Sequence, residues 1–417
     1  MKLRNDDVMP DPNNVVSNTH IVRQPIYDAQ VKVSGYELIV HGDSDDPEAD
    51  AAAAGTVTQI GLNLVAGGDA WVPLSRGFLF GGHADALPAE RVIFEIAPEL
   101  GADSDAVAAA ARLKATGHRL ALDPFVPSDE PNPLLGMASA VKIDAGQDRA
   151  TLADLVALAR GAGAQVVATG VETHEAFEIC KGLGADLFQG YFFCQPREVE
   201  GRGIEVNTLN KLRLISELQD PDVEMESLGE VVSRDVGLSY NLLRFVNSAF
   251  FSVPRRIESI RDALVLLGLQ NVKRWATLMA LADTNDKPHE LIVTGLVRAR
   301  MCELVAVARG DKREAEGYFT IGLFSVVDAL MDVSLIELLR QLPFSEEIMG
   351  ALLRYDGAKG EMLHAVLAYE RGDFAPLMGL MPAGTPPADF YAQAVEWATD
   401  AGGGLVAVGD GPAPAQA

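Results

Sequence analysis

The chain has 417 residues, and a chain of this length usually forms two domains because one hydrophobic core rarely serves so many residues. Its 48% of hydrophobic residues allow a sizeable core, yet no apolar run approaches the roughly 18 residues of a membrane span. The formal net charge of -25 argues against nucleic acid and anionic membranes as partners, since both would be repelled. With no leader-like segment at its start, the sequence predicts a cytoplasmic protein.

The first half of the chain alternates short apolar segments with alanine-rich segments, which indicates strands separated by helices. The eight predicted strands are "HIVRQPIYD", "GYELIV", "AWVPLS", "RVIFEIA", "RLALDPF", "AVKID", "AQVVATGV" and "DLFQGYFF". Helices are predicted at residues 105–116 and 152–161, where strong helix formers dominate. This pattern favours a parallel sheet closed into a TIM-type (β/α)8 barrel, with a doubly wound open sheet as the alternative.

The second half has a helical pattern throughout, which predicts an all-α bundle. Within it, Ser259 and Asn271 are predicted helix N-caps, and Gly268 a helix end. The last residues are rich in Gly, Ala and Pro, which predicts a disordered tail. The predicted divisions are an N-terminal extension at 1–19, the barrel at 20–196, a linker at 197–207, the helical domain at 208–400 and the tail at 401–417.

Polar side chains stand at the carboxyl ends of the predicted strands, where a barrel of this kind carries its chemistry. In chain order they are Glu37, Glu95, Asp123, Lys142 with Asp144, Glu172 and Gln189, and prolines occupy two further positions, Pro73 and Pro124. Carboxylates from separate strands together with a lysine suit hard divalent cations and phosphate. The alternative is structural, with the carboxylates paired to Lys142 and to backbone donors.

The strand ends also form a series of short motifs: "YELIV", "VPLS", "FEIAP", "LDPF", "VKID", "GVET" and "DLFQGYFFCQP". Taken in this order across residues 20–196, they resemble the motifs of the EAL domain family, cyclic di-GMP phosphodiesterases with a TIM-type barrel. "YELIV" resembles the Glu-Ala-Leu signature, and "VKID", "GVET" and the last motif resemble K-I-D, G-V-E-T and D-x-x-Q-G-Y-x-x-x-x-P. The opening segment further resembles the branch in which this barrel is fused to an HDOD domain.

The helical half supports that branch. Its segment "DVGLSYNLLRFVNSAFFSVPRRIESIRDALVLLGLQNVKRWATLMALAD" resembles the core of HDOD domains, including an L-L-R-x-V-N-S-A motif and an S-I-x-x-A-x-x-x-L-G motif. HDOD domains are similar to HD phosphohydrolases, whose metal site needs an adjacent His-Asp pair. Here Ser325 and Val326 stand at that pair, so the resemblance implies a helical interaction domain without a metal.

The resemblance implies a role for each matching position of the barrel. The metal-ligand positions are Glu37, Glu95 and Asp123, the lysine near the attacking water is Lys142 in the motif that also holds Asp144, and the supporting positions are Glu172 and Gln189. The sequence departs from the family pattern elsewhere. Pro73 replaces a ligand asparagine and Pro124 the second aspartate, while His41 falls at the usual phosphate-binding arginine.

These departures predict a barrel that has lost its reaction, because proline has no side-chain oxygen and a two-metal hydrolase needs its full set of oxygen ligands. The remaining residues are interpreted as a vestigial site that holds no metal or a single weakly bound Mg²⁺ at Glu37, Glu95 and Asp123. The missing arginine argues against cyclic di-GMP binding.

The resulting hypothesis is a non-catalytic signalling protein that acts as a scaffold or sensor and engages other signalling proteins through its HDOD domain. A homodimer is one arrangement that the family resemblance allows. Two alternatives stay open: a protein with residual cyclic di-GMP phosphodiesterase activity, and a receptor that binds a cyclic dinucleotide without hydrolysing it.

Overall fold

The computed structural model describes residues 20–41, 54–65, 68–126, 132–197, 206–219, 224–234, 236–247, 256–282, 287–382 and 384–409. Contacts divide the chain into two compact units. The first unit comprises residues 1–192 together with residues 367–393, and the second comprises residues 193–366 together with residues 394–417. The predicted N-terminal extension and most of the predicted linker lie outside the described residues.

Eight strands of the first unit close into a barrel in chain order, which confirms the predicted TIM-type barrel and excludes the open sheet. The strands are β1 His20–Asp28, β2 Val33–His41, β3 Asp69–Pro73, β4 Val92–Ile96, β5 Arg119–Leu122, β6 Ala140–Asp144, β7 Gln165–Thr169 and β8 Leu187–Gln189. Each coincides with one of the apolar segments of the sequence, because β-branched and aromatic residues suit a pleated surface buried on both faces.

The barrel is not fully parallel, which corrects the predicted parallel sheet. Strand β1 pairs antiparallel with both β2 and β8, and the other neighbours are parallel. Only residues 29–32 join β1 to β2. Four residues form a hairpin turn but cannot form the crossover that parallel neighbours need, which takes about a dozen or more.

A layer of apolar side chains fills the interior of the barrel, with one residue from each of seven strands. These residues are Ile26, Trp71, Ile93, Ala121, Ala140, Val167 and Leu187. All of them are less than a tenth exposed. Because side chains on a strand alternate between the two faces, residues two positions further along β3 to β8 face the same interior, one level closer to the carboxyl ends of these strands, and on the antiparallel β1 the same level lies two residues earlier.

Helices cover the outside of β3 to β8. They are α1 Leu62–Leu64, which continues a π-helical turn at Val57–Gly61, α2 Arg76–Phe80, α3 Ser104–Ala115, α4 Arg149–Gly161 and α5 His174–Leu183. Short 3₁₀ turns occur at Ala84–Ala86, Pro98–Ala102, Leu135–Met137 and Phe192–Cys194. The predicted helices at 105–116 and 152–161 are confirmed as α3 and α4, which start earlier because Asp103 and Asp148 cap them.

The described residues that follow the barrel are mostly helical, which confirms the predicted all-α second half. Its helices are α6 Val206–Gln219, α7 Met225–Arg234, α8 Val236–Val246, α9 Ile260–Leu267, α10 Leu269–Ala282, α11 His289–Arg309, α12 Ala315–Phe324, α13 Val327–Met331, α14 Leu335–Leu339, α15 Glu346–Arg354, α16 Gly357–Glu370, α17 Ala375–Leu380 and α18 Pro387–Gly409. Among the helices that the structure describes, none combines the length and the apolar character needed to cross a membrane.

Three sequence expectations in this half meet different outcomes. Ser259 caps α9 by accepting from the amide of Asp262 at 3.0 Å, as predicted. Asn271 is not a cap, because α10 begins at Leu269 and the Asn271 amide bonds back to the Leu267 carbonyl at 2.8 Å. The predicted disordered tail is helical up to Gly409, since extending a formed helix adds one hydrogen bond for each residue ordered. Residues 410–417 lie outside the described chain.

Residues 367–393 belong to the barrel unit, although the helical pattern of the sequence assigns them to the second domain. The side chains of Tyr369, Phe374 and Tyr391 are buried and contact β1, where the hydroxyl of Tyr369 bonds to the Ile21 carbonyl. Helical periodicity reports where apolar residues face and not which unit they face, so it could not separate this segment from its neighbours.

Helices α11 and α12 of the second unit cross closely at a glycine. A Cβ atom at Gly322 would overlap the backbone of Arg298 and Ala299, and a Cβ at Gly295 would meet the Val326 side chain. Much of α11 is buried around this crossing, including the fully buried Ala299. The absence of a side chain at Gly322 therefore sets the distance between the two helices.

We expect Gly322→Ala to lower the free energy of unfolding by about 1 to 3 kcal/mol, because the added methyl group has to push two packed backbones apart. Urea unfolding of the full chain measures this change. The matched control is Gly182→Ala in α5, where a Cβ would meet no atom within 4 Å. That helical position should be unaffected or slightly stabilised, and equal effects at both glycines would contradict the close crossing.

Candidate functional site

The centre of the candidate site is the ammonium group of Lys142, which projects from β6 into the mouth of the barrel. Its side chain is 1% exposed. Its Nζ lies 2.7 Å from Oε2 of Glu37, 2.6 Å from Oε1 of Glu95 and 3.4 Å from Oδ2 of Asp123. We call Lys142 and these three carboxylates the Lys142 cluster. One buried cation therefore serves three acidic side chains from three different strands or strand ends.

Strand alternation brings the cluster together. Glu95 follows the interior residue Ile93 by two positions, Asp123 follows Ala121, and Lys142 follows Ala140 in the same way. Each polar residue therefore faces the barrel axis, one level above the apolar layer. The register of the β3–β4 pair places Pro73 directly beside Glu95.

A glutamine pair extends the cluster toward β1. The amide nitrogen of Gln189, on β8, donates to Oε2 of Glu37 and also to Oε1 of Gln24 at 3.2 Å. Gln189 is a predicted site residue, whereas Gln24 is one that the sequence prediction missed. Its signal was present: Gln24 precedes the interior residue Ile26 by two positions and is a polar residue on an inward-facing register.

Burial and charge give the three carboxyl groups different pKa values. Burial, with the neighbouring charges of Glu37 and Asp123, raises the pKa of Glu95 well above its ordinary value against the attraction of Lys142. Burial also acts to raise the pKa of Glu37, but the charge and hydrogen bonds of Lys142 outweigh it, so that pKa is lowered. Burial is the main cause of the raised pKa of Asp123. The cluster therefore sheds negative charge first at Glu95.

The lysine remains charged in this setting. Burial alone would lower the pKa of Lys142, but the carboxylates of Glu95, Glu37 and Asp123 together raise it. The contact of Lys142 Nζ with Oε1 of Glu95 is the shortest of its three carboxylate contacts, at 2.6 Å, and it opposes the rise in the pKa of Glu95 without cancelling it.

The three carboxylates fit one cation. Ligand oxygens of Glu37, Glu95 and Asp123 all lie within 4.8 Å of one another, and hard divalent cations prefer such oxygens. The fit has a condition, since the Lys142 ammonium lies among the same oxygens and would have to withdraw. Neither Pro73 nor Pro124 adds a side-chain oxygen for a second cation, and the peptide bond between Asp123 and Pro124 is cis.

Two predicted site residues lie apart from the cluster. Asp144 is exposed at the end of β6, where its carboxylate accepts the Gly146 amide at 2.9 Å. Glu172 is exposed in the loop after β7. Within the described part of the chain, neither forms an ion pair with Lys142. The side chain of His41 lies outside the described residues.

A cavity of about 320 Å³ opens beside the cluster and has mostly apolar walls. Its lining includes Pro73 and the two carboxylates Glu95 and Asp123. The rest of its lining is formed by Leu38, Val40, Val57, Val72, Leu74, Ser75, Phe78 and Ala97. These lining residues include no lysine or arginine, so they present no positive charge to a phosphate group.

The second unit has a buried cation at the position of the expected His-Asp pair. Ser325 donates to the Gly322 carbonyl at 2.7 Å and accepts from the guanidinium of Arg298 at 3.2 Å. Val326 is fully buried and Arg298 is 5% exposed. A serine and a valine offer no carboxylate or imidazole for a metal, so the residues present do not fit one.

The raised pKa of Glu95 predicts that the folded state becomes less stable as the pH rises. The unfolded chain loses this proton at the ordinary glutamic acid pKa, while the folded chain keeps it to higher pH, so rising pH weakens the folded state. Glu95→Gln keeps the shape and cannot ionise. From about pH 5 upward, the variant should gain stability over the wild type by as much as about 1.4 kcal/mol per pH unit in urea unfolding. Glu99→Gln, at an exposed glutamate, is the control, and a constant difference between the Glu95 variant and wild type would contradict the shift.

Two family profiles match the chain. The EAL domain matches residues 83–196, and the HDOD domain matches residues 209–341. Among solved structures, "PaMucR Phosphodiesterase, c-di-GMP complex" is 22% identical with a TM-score of 0.36 and covers 46% of this chain and 94% of its own. A manganese and cyclic di-GMP complex of Klebsiella pneumoniae BlrP1 is 24% identical with a TM-score of 0.36, covering 44% and 57%. The barrel itself follows from the strand pairing and not from these matches.

Two full-length relatives extend the similarity to both halves. The "Cyclic di-GMP phosphodiesterase CdgJ" of Vibrio cholerae is 33% identical over 372 residues, which cover 85% of this chain and 86% of the relative. The "Uncharacterized protein YuxH" of Bacillus subtilis is 28% identical over 401 residues, covering 90% and 97%. The chain therefore belongs to the family of proteins that join an EAL domain to an HDOD domain.

Proposed function

We propose that this protein is a non-catalytic signalling protein whose EAL barrel no longer hydrolyses cyclic di-GMP and whose HDOD domain engages other signalling proteins. One observation carries the proposal: Pro73 lies directly beside Glu95 in the β3–β4 pair and Pro124 directly follows Asp123, so neither position supplies a side-chain oxygen next to the three surviving carboxylates. Without those oxygens the site lacks ligands for the second cation that a two-metal hydrolase needs.

The chemistry of a two-metal hydrolase sets the requirement that this site does not meet. Such an enzyme holds two cations about 4 Å apart and generates hydroxide between them at neutral pH. The described site offers one compact set of three carboxylates, and prolines stand at the two positions where the family resemblance implies further oxygen ligands. A single Mg²⁺ that displaced Lys142 would be weakly held, because its binding would also leave the buried ammonium unpaired.

The surroundings of the site also disfavour a phosphodiester substrate. Phosphate groups are bound by arginine, lysine or clustered backbone amides, which supply positive charge and donors. The cavity beside the cluster has mostly apolar walls, and two carboxylates, Glu95 and Asp123, are part of its lining. A phosphate placed there would meet like charge, which supports a barrel that serves as scaffold or sensor.

The second half of the proposal concerns the helical domain. Ser325 and Val326 occupy the position of the metal-binding pair of HD phosphohydrolases, and a serine bonded to Arg298 has no evident catalytic use. A helical domain without a reactive site is suited to binding other proteins. We infer cytoplasmic signalling proteins as partners, and self-association into a homodimer is part of the same proposal.

A second candidate function is residual phosphodiesterase activity. It is favoured by the survival of Glu37, Glu95 and Asp123 in one cluster and by a relative, CdgJ, whose name is that of a cyclic di-GMP phosphodiesterase. A third candidate, a receptor that binds the dinucleotide without turnover, would reveal itself as a ligand-induced rise in melting temperature.

We expect the full chain to show no hydrolysis of cyclic di-GMP above background with Mg²⁺ or Mn²⁺. The variant carrying both Pro73→Asn and Pro124→Asp restores side-chain oxygens at two strand ends and should exceed the wild type by about 10²-fold or more in a product assay. Glu37→Gln in that variant is the control and should return it to background. Wild-type turnover that Glu37→Gln abolishes would overturn the proposal in favour of residual activity.

Removing the internal cation should expose the metal-binding capacity of the carboxylates. We expect Lys142→Met to lose about 3 to 5 kcal/mol of stability without metal, because it leaves the buried carboxylates uncompensated. Mn²⁺ at about one hundred times its Kd should raise the free energy of unfolding of the variant by about 2.7 kcal/mol, as measured by thermal unfolding. The control is Lys32→Met at an exposed lysine. Calorimetry that finds two tightly bound cations in the wild type would contradict the assigned role of Lys142.

A further inference from the structure

The edge of β1 that faces β8 is the feature from which this inference starts. Strand β1 has nine residues and β8 has three, and the two pair only through Ile26, Tyr27 and Asp28 of β1. Residues 20–25 therefore have no β8 partner on that edge. A strand edge with free backbone donors and acceptors is normally covered or paired. In this barrel it is covered by a segment from the far end of the chain.

That segment comprises residues 367–393, which we call the C-terminal strap. It contains the end of α16, the whole of α17 and the start of α18, and it belongs to the barrel unit. Its two buried tyrosines bond to the β1 backbone. The Tyr369 hydroxyl donates to the Ile21 carbonyl at 3.1 Å. The Tyr391 hydroxyl accepts the Arg23 amide at 3.3 Å and lies 3.4 Å from the Arg23 carbonyl, to which it donates.

Aromatic packing holds the strap in place beside these bonds. The Phe374 ring stacks on His20 of β1 with centroids 5.0 Å apart. Within the strap, the Tyr369 ring lies 4.9 Å from Phe374 and 5.5 Å from Tyr391. Tyr369 is fully buried, and Phe374 and Tyr391 are 6% and 3% exposed. The strap thus covers β1 with buried aromatic side chains, at the place where a hairpin and not a crossover helix joins β1 to β2.

A second set of bonds leads from the strap to the Lys142 cluster. The backbone carbonyl of Glu370 accepts from Gln24 Nε2 at 3.1 Å and from the Tyr191 hydroxyl at 2.8 Å. The other end of the Gln24 amide accepts from Gln189, which also donates to Glu37. Because one planar amide makes both contacts, Gln24 cannot turn toward one partner without leaving the other.

We propose that the C-terminal strap is a required wall of the EAL barrel and that Gln24 is a positioning residue, through which the strap fixes the orientation of the Glu37 carboxylate. The strap follows the HDOD-matched residues along the chain, so the last part of the chain and the acidic site at the barrel mouth are energetically coupled. The inference is independent of whether the barrel hydrolyses a substrate, because it concerns the support of Glu37 and not its reaction.

The wall is tested by removing the two hydroxyls from the full chain with Tyr369→Phe and Tyr391→Phe. We expect hydrogen exchange of the Arg23 amide to accelerate roughly tenfold, since that amide and two β1 carbonyls lose their partners. The matched control is Tyr355→Phe, at a tyrosine that is 45% exposed and outside the strap. Unchanged exchange of the Arg23 amide in the double variant would contradict the proposal that the strap is a required wall of the barrel.

The positioning role of Gln24 is tested by the coupling between two substitutions, which a simple loss of packing at either site would not produce. We expect Tyr391→Phe and Glu37→Gln to be non-additive, with the unfolding constant of the double variant differing roughly fivefold or more from the product of the single effects. In a Gln24→Met background this coupling should disappear. Tyr391→Phe paired with Asp148→Asn, at the N-cap of α4, should be additive. Additivity of the Tyr391 and Glu37 variants, or coupling that survives Gln24→Met, would overturn the positioning role.

Discussion

The structure of this barrel depends on how a single buried ammonium group is balanced. Lys142 needs carboxylates around it because a lone charge in a dry interior is prohibitively unfavourable, and Glu37, Glu95 and Asp123 need Lys142 for the same reason. The apolar layer below the cluster keeps water out, and thereby makes each contact stronger and each missing partner more costly. Fold and site are consequently linked, since loss of one charged group disturbs the interior of the barrel as well as its mouth.

The proposed loss of hydrolysis concerns the same group of side chains. A metal ion presents open coordination positions to water and substrate, whereas the Lys142 ammonium on β6 directs its N–H groups at the carboxylates beside it. The second unit also contains a buried cation, because the guanidinium of Arg298 donates to Ser325, at the position where HD phosphohydrolases, to which HDOD domains are similar, need a His-Asp pair.

The sequence predicted those parts of the molecule that depend on a periodic pattern of residues along one strand or helix. All eight strands, the placement of Glu37, Glu95 and Lys142 on them, and the cap at Ser259 follow from local periodicity and hydrogen-bonding preference. The separation of Asp144 and Glu172 from the cluster was missed, because residues at strand ends turn outward when the loop does. The contact between Tyr369 and Ile21 joins residues 348 positions apart, and no short pattern in one sequence reports such a pairing.

The strap also has a consequence for the time course of folding in the cell. Strand β8 ends at Gln189, but the tyrosines that complete the edge of β1 belong to residues 367–393. At typical rates of synthesis, Tyr369 leaves the ribosome on the order of ten seconds after β8. During that interval the nascent barrel exposes an open strand edge, the feature that most readily recruits a second chain. Completion of the first unit therefore has to wait until residues 367–393 have been made.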